Sequence, residues 1–188
     1  NFGSISLDGS NSTGFSFLTS NGFFHNHSNS QFEIKNCIEE GIVLYNRLIN
    51  KGSINIEGVT KGIRVTNQSF SDSLINTGTI TIKDCSEHGL FTSANPIMVM
   101  RNTENGLISI TNSNNQAISN FPSTSQFVND TCANIMVDGN IGNMINYGFI
   151  SANTNSDYSF NEFYNYGIFE DQQAKLIFDD DFHNTGVV

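Results

Sequence analysis

Asn50-Lys51-Gly52-Ser53-Ile54-Asn55-Ile56 returns one repeat later as Asn76-Thr77-Gly78-Thr79-Ile80-Thr81-Ile82, and the architecture follows from that repetition. The same phrase opens the chain as Asn1-Phe2-Gly3-Ser4-Ile5-Ser6-Leu7 and closes it as Asn184-Thr185-Gly186-Val187-Val188. With two residues inserted after the asparagine it fits 26–34, 102–110 and 129–137, and further copies begin at Asn146 and Asn165. The key asparagines are therefore Asn1, Asn26, Asn50, Asn76, Asn102, Asn129, Asn146, Asn165 and Asn184, nearly evenly spaced as far as Asn129 and closer together after it. Two places before each key asparagine from Asn26 onward stands Phe24, Leu48, Leu74, Met100, Phe127, Met144, Phe163 or Phe182, always large and apolar. A second phrase, Gly then alternating apolar residues, follows in the longer repeats: Gly14-Phe15-Ser16-Phe17, Gly41-Ile42-Val43-Leu44, Gly62-Ile63-Arg64-Val65 and Gly89-Leu90-Phe91.

Alternation of period two, bounded by Asn, Gly, Ser and Asp, predicts two or three short strands per repeat and almost no helix. Such small all-strand repeats cannot bury an apolar face alone, so each must stack on its neighbours. The expected fold is therefore all-β: a right-handed parallel β-helix, or β-solenoid, of about 8–9 coils with roughly 17–27 residues each. At a strand spacing of about 4.8 Å the rod is on the order of 40 Å long. Positions −2, 0 and +2 relative to each key asparagine share the inward parity, as does +4 where there is no insertion; −1, +1 and +3 face solvent. Asn26, Asn50, Asn76, Asn102, Asn129, Asn146, Asn165 and Asn184 are then expected to stack as an amide ladder, each donating to and accepting from the next. Gly at +2 suits a corner with positive φ or a close passage of backbone.

In the last coils the phrase runs Phe163-Tyr164-Asn165-Tyr166-Gly167-Ile168-Phe169 and then Phe182-His183-Asn184-Thr185-Gly186-Val187-Val188, repeating the interval that separates Asn146 from Asn165. This apolar-x-Asn-x-Gly-x-Ile grammar resembles the β-helix repeats of filamentous-haemagglutinin-like adhesins and autotransporter passengers. The resemblance covers nearly the whole chain and brings no catalytic residues. It implies an exported bacterial protein, extracellular or on the cell surface, used for adhesion or as a filament building block.

Composition narrows the functions. The 188 residues include 28 Asn, 16 Phe and 16 Gly, with 8 Lys and Arg against 18 Asp and Glu, a formal charge of −10. So few cations leave no basic face for phosphates, which argues against nucleic-acid binding. At 37% apolar and 14% charged residues, the chain is too hydrophobic for a disordered tail, and its length fits one domain. No apolar run is long enough for a membrane span, and Asn1 to Asn11 carry no signal-peptide pattern.

Several groups of side chains could carry chemistry. Cys37 and Cys85 hold equivalent places two coils apart, about 9–10 Å, beyond the roughly 7 Å Cα limit for a disulfide, so free buried thiols are expected. Cys132 falls in an inserted turn. His25 and His27 flank Asn26 on one outward face, a pair that is expected to be solvated rather than metal-binding. Asp179, Asp180 and Asp181, with Glu170 and Asp171 one coil earlier, form a weak candidate set of oxygen ligands for Ca²⁺, the one cofactor considered. Arg47, Lys51, Lys61 and Arg64 lie near Glu39, Glu40, Glu57, Asp84 and Glu87, which permits a site but makes no motif of the paired-carboxylate kind. A carbohydrate-active enzyme, lyase or glycosidase, on the same fold is therefore the alternative to a non-catalytic module. The sequons at Asn11, Asn26, Asn67 and Asn129 are expected by chance in so Asn-rich a chain. Thr77, Thr79 and Thr81 occur together in one coil only, short of an ice-binding array.

Outward positions say most about function. Tyr147, Phe149, Tyr166, Ile168 and Val187 are expected to form a contiguous exposed apolar patch on the last coils, a partner surface. The repeat phrase runs to both ends without a polar cap, so the chain reads as a segment of a longer solenoid or a filament subunit. Expected partners are other copies, flanking repeats, or surface glycans and proteins of a host or prey, with no nucleic acid and no membrane insertion.

Overall fold

The computed structural model describes residues 1–17, 23–66, 72–93, 99–119, 126–152, 158–160, 162–171, 176–178 and 182–188. Among these there is no helix; parallel sheets stack as a β-solenoid. The first sheet piles up eight strands, Ser4–Asp8, Gln31–Lys35, Ser53–Glu57, Thr79–Cys85, Leu107–Ser113, Asn134–Val137, Phe149–Ala152 and Ile168–Asp171. The second holds Phe15–Phe17, Glu40–Leu44, Lys61–Val65, His88–Thr92, Gln116–Ser119 and Asn140–Ile141. A third sheet stacks Phe23–Asn26, Arg47–Asn50, Asp72–Asn76, Val99–Asn102, Gln126–Asn129, Met144–Asn146, Phe163–Asn165 and Phe182–Asn184. The chain visits the three in turn; in the last coils the paired strands Tyr158–Phe160 and Leu176–Phe178 fall between first-sheet and third-sheet strands.

The alternating aliphatics produce this arrangement because period two sends every second side chain to one face. Ser53–Glu57 shows it directly: Ile54 and Ile56 are buried, whereas Ser53, Asn55 and Glu57 are only partly so. Registered stacking turns these positions into columns. Phe32, Ile54, Ile80, Ile108, Ile135, Ile150 and Phe169 form one, and Leu48, Leu74, Met100, Phe127, Met144 and Phe163 line the third sheet. All are at most 1% exposed. Each such side chain contributes roughly 1.5–3 kcal/mol by leaving water, so the stacking surface carries the stability.

The two-residue insertions are absorbed in tight turns before the next strand starts. Ser30 N donates to His27 O at 3.1 Å, Gly106 N to Thr103 O at 3.0 Å and Ala133 N to Asp130 O at 3.1 Å. Asn29, Glu104 and Cys132 take positive φ there, at 66°, 56° and 65°. The corner after the first sheet is likewise left-handed at Asn36, Gly58, Asp84 and Asn112, mostly the short polar residues that tolerate it. By contrast, the Gly two places after Asn50, Asn76, Asn146, Asn165 and Asn184 serves close approach. Among the described residues Gly78 and Gly167 lack positive φ, but a Cβ on Gly78 would collide with the Gly52 carbonyl oxygen, and one on Gly167 with that of Gly148.

Outside the first sheet, Asp8, Lys35, Glu57 and Lys83 stand in one column of alternating charge. Lys35 pairs with Glu33 at 2.9 Å and Lys83 with Glu57 at 3.1 Å. Exposed pairs like these add little stability, but like charges in the column would oppose the register.

Candidate partner-binding face

The asparagines stand one above another at the corner between the third and first sheets. Asn26, Asn50, Asn76, Asn102, Asn129, Asn146 and Asn165 are all fully buried. Each side-chain amide donates to the carbonyl oxygen of the next: Asn26 to Asn50 at 2.8 Å, Asn50 to Asn76 at 2.7 Å, Asn76 to Asn102 at 2.8 Å and Asn102 to Asn129 at 3.0 Å. The chain of bonds continues from Asn129 to Asn146 and Asn146 to Asn165 at 2.8 Å, then to Asn184 at 2.9 Å, and Asn1 begins it by donating to Asn26 at 3.0 Å. A second amide hydrogen serves backbone: Asn50 also donates to Thr79 O, Asn76 to Leu107 O and Asn102 to Asn134 O. Donors and acceptor of a fully buried group are thereby satisfied without water. This spine is structural and holds the register of the faces around it.

Beside the spine, the outward residues of the last coils converge. Tyr147 and Tyr166 are 46% and 42% exposed, and their rings stack with centroids 5.1 Å apart and planes 12° from parallel. On the adjoining row Phe149 pairs with Ile168 and Ile168 bridges to Val187. Ile168 is 43% and Val187 62% exposed, whereas Phe149 is half-buried. The structure thus places Tyr147, Phe149, Tyr166, Ile168 and Val187 on one continuous surface. It adds Met136, 42% exposed and pointing outward one row over, opposite Ser151 in the adjacent strand. The repeat phrase conceals Met136 because the insertion in 129–137 moves it two places from its aligned position. Asp130 occupies the place next to Tyr147 in the +1 row, and exposed Glu170 follows Ile168 on the same face. Close ring stacking and fixed backbone make the patch a rigid surface, presented at the strand spacing of about 4.8 Å.

A different aromatic stack lies at the opposite end. Phe2 and His27 have centroids 3.8 Å apart, and His25 and His27 likewise 3.8 Å. Face-to-face imidazoles do not point their nitrogen lone pairs at a common centre, so the pair offers no chelate. Burial, then the neighbouring His27 and Lys51, hold the His25 pKa below the ordinary imidazole value.

Of the cations and carboxylates that sequence proximity grouped together, Glu40, Lys61, Arg64 and Glu87 meet on and beside the second sheet, while Arg47 and Glu57 stand apart on the third and the first. Arg64 Nε lies 3.3 Å from Glu40 and Lys61 Nζ 2.8 Å from Glu87 on and beside the second sheet, while Glu57 and Lys83 stand on the first and Arg47 belongs to the third. The hydrogen bond from Lys61 holds the Glu87 carboxyl below its usual range, the opposite of what a general acid requires. His88 stacks on Phe91 at 5.1 Å, with its pKa lowered chiefly by burial.

Cys37 and Cys85 are buried free thiols and Cys132 is an exposed one. Burial, assisted by Asp84, pushes the Cys85 thiol up to about 12. Of the weak Ca²⁺ candidates, Asp179, Asp180 and Asp181 lie outside the described residues, Glu170 is exposed on the first sheet, and Asp171 ends the same strand. Among the described residues no three His, Cys, Asp or Glu side chains group closely enough to hold a metal. No helix among them is long and apolar enough to cross a membrane. Two sequon asparagines, Asn26 and Asn129, spend their amides in the spine and are 0% exposed. Compared with protein families, curated proteins and solved structures, the chain matches none of them.

Proposed function

We propose that this chain is a non-catalytic structural or adhesive module of a bacterial cell-surface or secreted protein, engaging partners through protein or glycan contacts. It is read as a right-handed rod of eight to nine coils, similar in its repeat grammar to filamentous-haemagglutinin-like adhesins and autotransporter passengers. The observation that carries the reading is the contiguous Tyr147, Phe149, Tyr166, Ile168 and Val187 surface. Tyr147, Tyr166, Ile168 and Val187 are 42–62% exposed on neighbouring coils, and a patch of this kind marks a contact site. The Lys61–Glu87 and Arg64–Glu40 contacts pair their charges with one another, which supports a scaffold over a catalyst.

The test is retention of the purified rod on epithelial cells and on immobilised rod, compared with the Tyr147→Ser, Tyr166→Ser double variant. At least tenfold weaker retention in the variant is expected, with both proteins folding alike by circular dichroism. Equal retention removes the patch from the reading, and release of unsaturated or reducing ends from an acidic polysaccharide overturns the non-catalytic assignment.

A further inference from the structure

The rod is electrically lopsided. Residues 1–101 carry 7 of the 8 Lys and Arg and 8 of the 18 Asp and Glu, whereas residues 102–188 carry Lys175 against the other 10 acids. The formal charges of the two parts are −1 and −9. In the first part charge is used in pairs, as in Lys35 with Glu33, Lys61 with Glu87, Arg64 with Glu40 and Lys83 with Glu57. In the second, the described residues from 126 onward include no Lys or Arg, and Asp130 is approached by Arg101 of the preceding coil at a loose 3.7 Å. The apolar surface lies within this acid-rich part.

That coincidence selects the occupant. A second copy docking the same face would bring together two segments of formal charge −9, with Asp130 and Glu170 of each beside the contact. Nucleic acid, acidic glycans and anionic membrane surfaces meet the same repulsion. A cationic partner gains both steering and pairing, provided it also carries apolar side chains to cover Phe149, Ile168 and Val187. Tyrosine and methionine are the residues enriched at the buried centres of protein–protein contacts, and Tyr147, Tyr166 and Met136 supply them here.

We propose that the face formed by Tyr147, Phe149, Tyr166, Ile168 and Val187 docks a basic segment of a protein partner. Apolar side chains of the segment seat on Ile168 and its neighbours, and its Lys or Arg side chains meet Asp130 and Glu170 at the margin. The inference rests on the reading of the rod as a partner-binding module and names the chemistry of that partner.

The probe is a short fluorescent peptide alternating lysine with leucine, compared with peptides alternating glutamate with leucine and lysine with serine. Polarisation should show binding of the lysine–leucine peptide, at least tenfold weaker binding of the lysine–serine peptide and none of the glutamate–leucine peptide. Raising salt from low to physiological strength should weaken the complex several-fold by screening the exposed charges. Ile168→Ser and Glu170→Lys should each cost tenfold or more, while Glu57→Gln on the distant part of the first sheet should cost nothing. Both altered patch residues are exposed, and unchanged thermal unfolding of Glu170→Lys confirms that its loss is one of recognition. Binding that ignores Ile168→Ser, or is matched by the lysine–serine peptide, overturns the proposal. So does self-association in sedimentation that Ile168→Ser abolishes, because the occupant is then a second copy. If the peptides fail while the double tyrosine variant still loses cell retention, the basic-partner chemistry falls and the module reading stands; if tyrosine replacement leaves retention intact, the module reading falls.

Discussion

The Asn76 side-chain amide donates to Asn102 Oδ1 at 2.8 Å, joining two successive coils with both groups wholly buried. One such bond contributes about 1 kcal/mol net, but leaving either partner unmet in the core costs about 1–3 kcal/mol more. The spine therefore acts less by attraction than by penalising every other register.

Replacing Asn102 is expected to expose that penalty. Asn102→Ala removes the donors to Asn129, Gly106 and Asn134 and the acceptor of Asn76, for a loss of about 2–4 kcal/mol in urea denaturation. Asn102→Asp has the same shape but buries a carboxylate facing the Asn129 carbonyl oxygen. Its pKa is raised in the folded state, so it should be worst at neutral pH and recover as acid protonates it. A pH-independent deficit in Asn102→Asp would refute the burial of an ionisable carboxyl there.

Gly78→Ala tests the corner. The added methyl meets the Gly52 carbonyl oxygen, a backbone atom fixed by the coil beneath, so a loss of about 1–3 kcal/mol is expected. Gly3, with open space around its Cβ position, should accept alanine with little change. Equal melting of the two variants and the parent would contradict the close approach.

Thiol reactivity should separate the cysteines. Cys85 is buried with its thiol pushed up to about 12, Cys37 is buried, and Cys132 is exposed on a turn. Since the thiolate is the reacting form, Ellman's reagent in mildly alkaline buffer should titrate one thiol quickly in native protein and all three in denaturant. Three fast thiols in the native state would place the first-sheet corners in solvent.

Asp138 supplies a pH signature. Burial raises its carboxyl above the ordinary value, outweighing the hydrogen bond from Asn112 N at 2.7 Å and assisted by Asp84. The folded state then holds the proton more tightly than the unfolded chain. Its contribution is full below the ordinary carboxylate pKa and is lost as pH rises through the raised value. Asp138→Asn keeps an acceptor for Asn112 and cannot ionise, so it should be more stable than the parent at neutral pH, with the advantage vanishing in acid. A constant difference across pH would refute the assignment.

The parallel stack and its parity were legible because the same phrase recurs with apolar residues at fixed offsets. Ile54 and Ile80 are visibly equivalent in the sequence, and they pair in the sheet. The outward patch was legible for the same reason, its members being odd-numbered steps from Asn146, Asn165 and Asn184. What lay beyond the repeat phrase was not. The Asp8, Lys35, Glu57 and Lys83 column stands one residue past the end of that phrase, where no repeated residue type marks it. Arg47, Arg64 and Glu57 are close in sequence yet on three different sheets, because a single coil of chain circles the whole rod. Sequence distance is a poor guide to convergence when each coil changes direction at every corner.

The tight turns at His27–Ser30, Thr103–Gly106 and Asp130–Ala133 have a genealogical consequence. Each takes up the two inserted residues before the next strand begins, so a coil with the insertion, from Asn102 to Asn129, and one without it, from Asn50 to Asn76, present the same platform to whatever lies above. Whole units are therefore interchangeable parts. Unequal crossing-over between two asparagine codons would shorten or extend the shaft by one storey and leave every remaining joint intact.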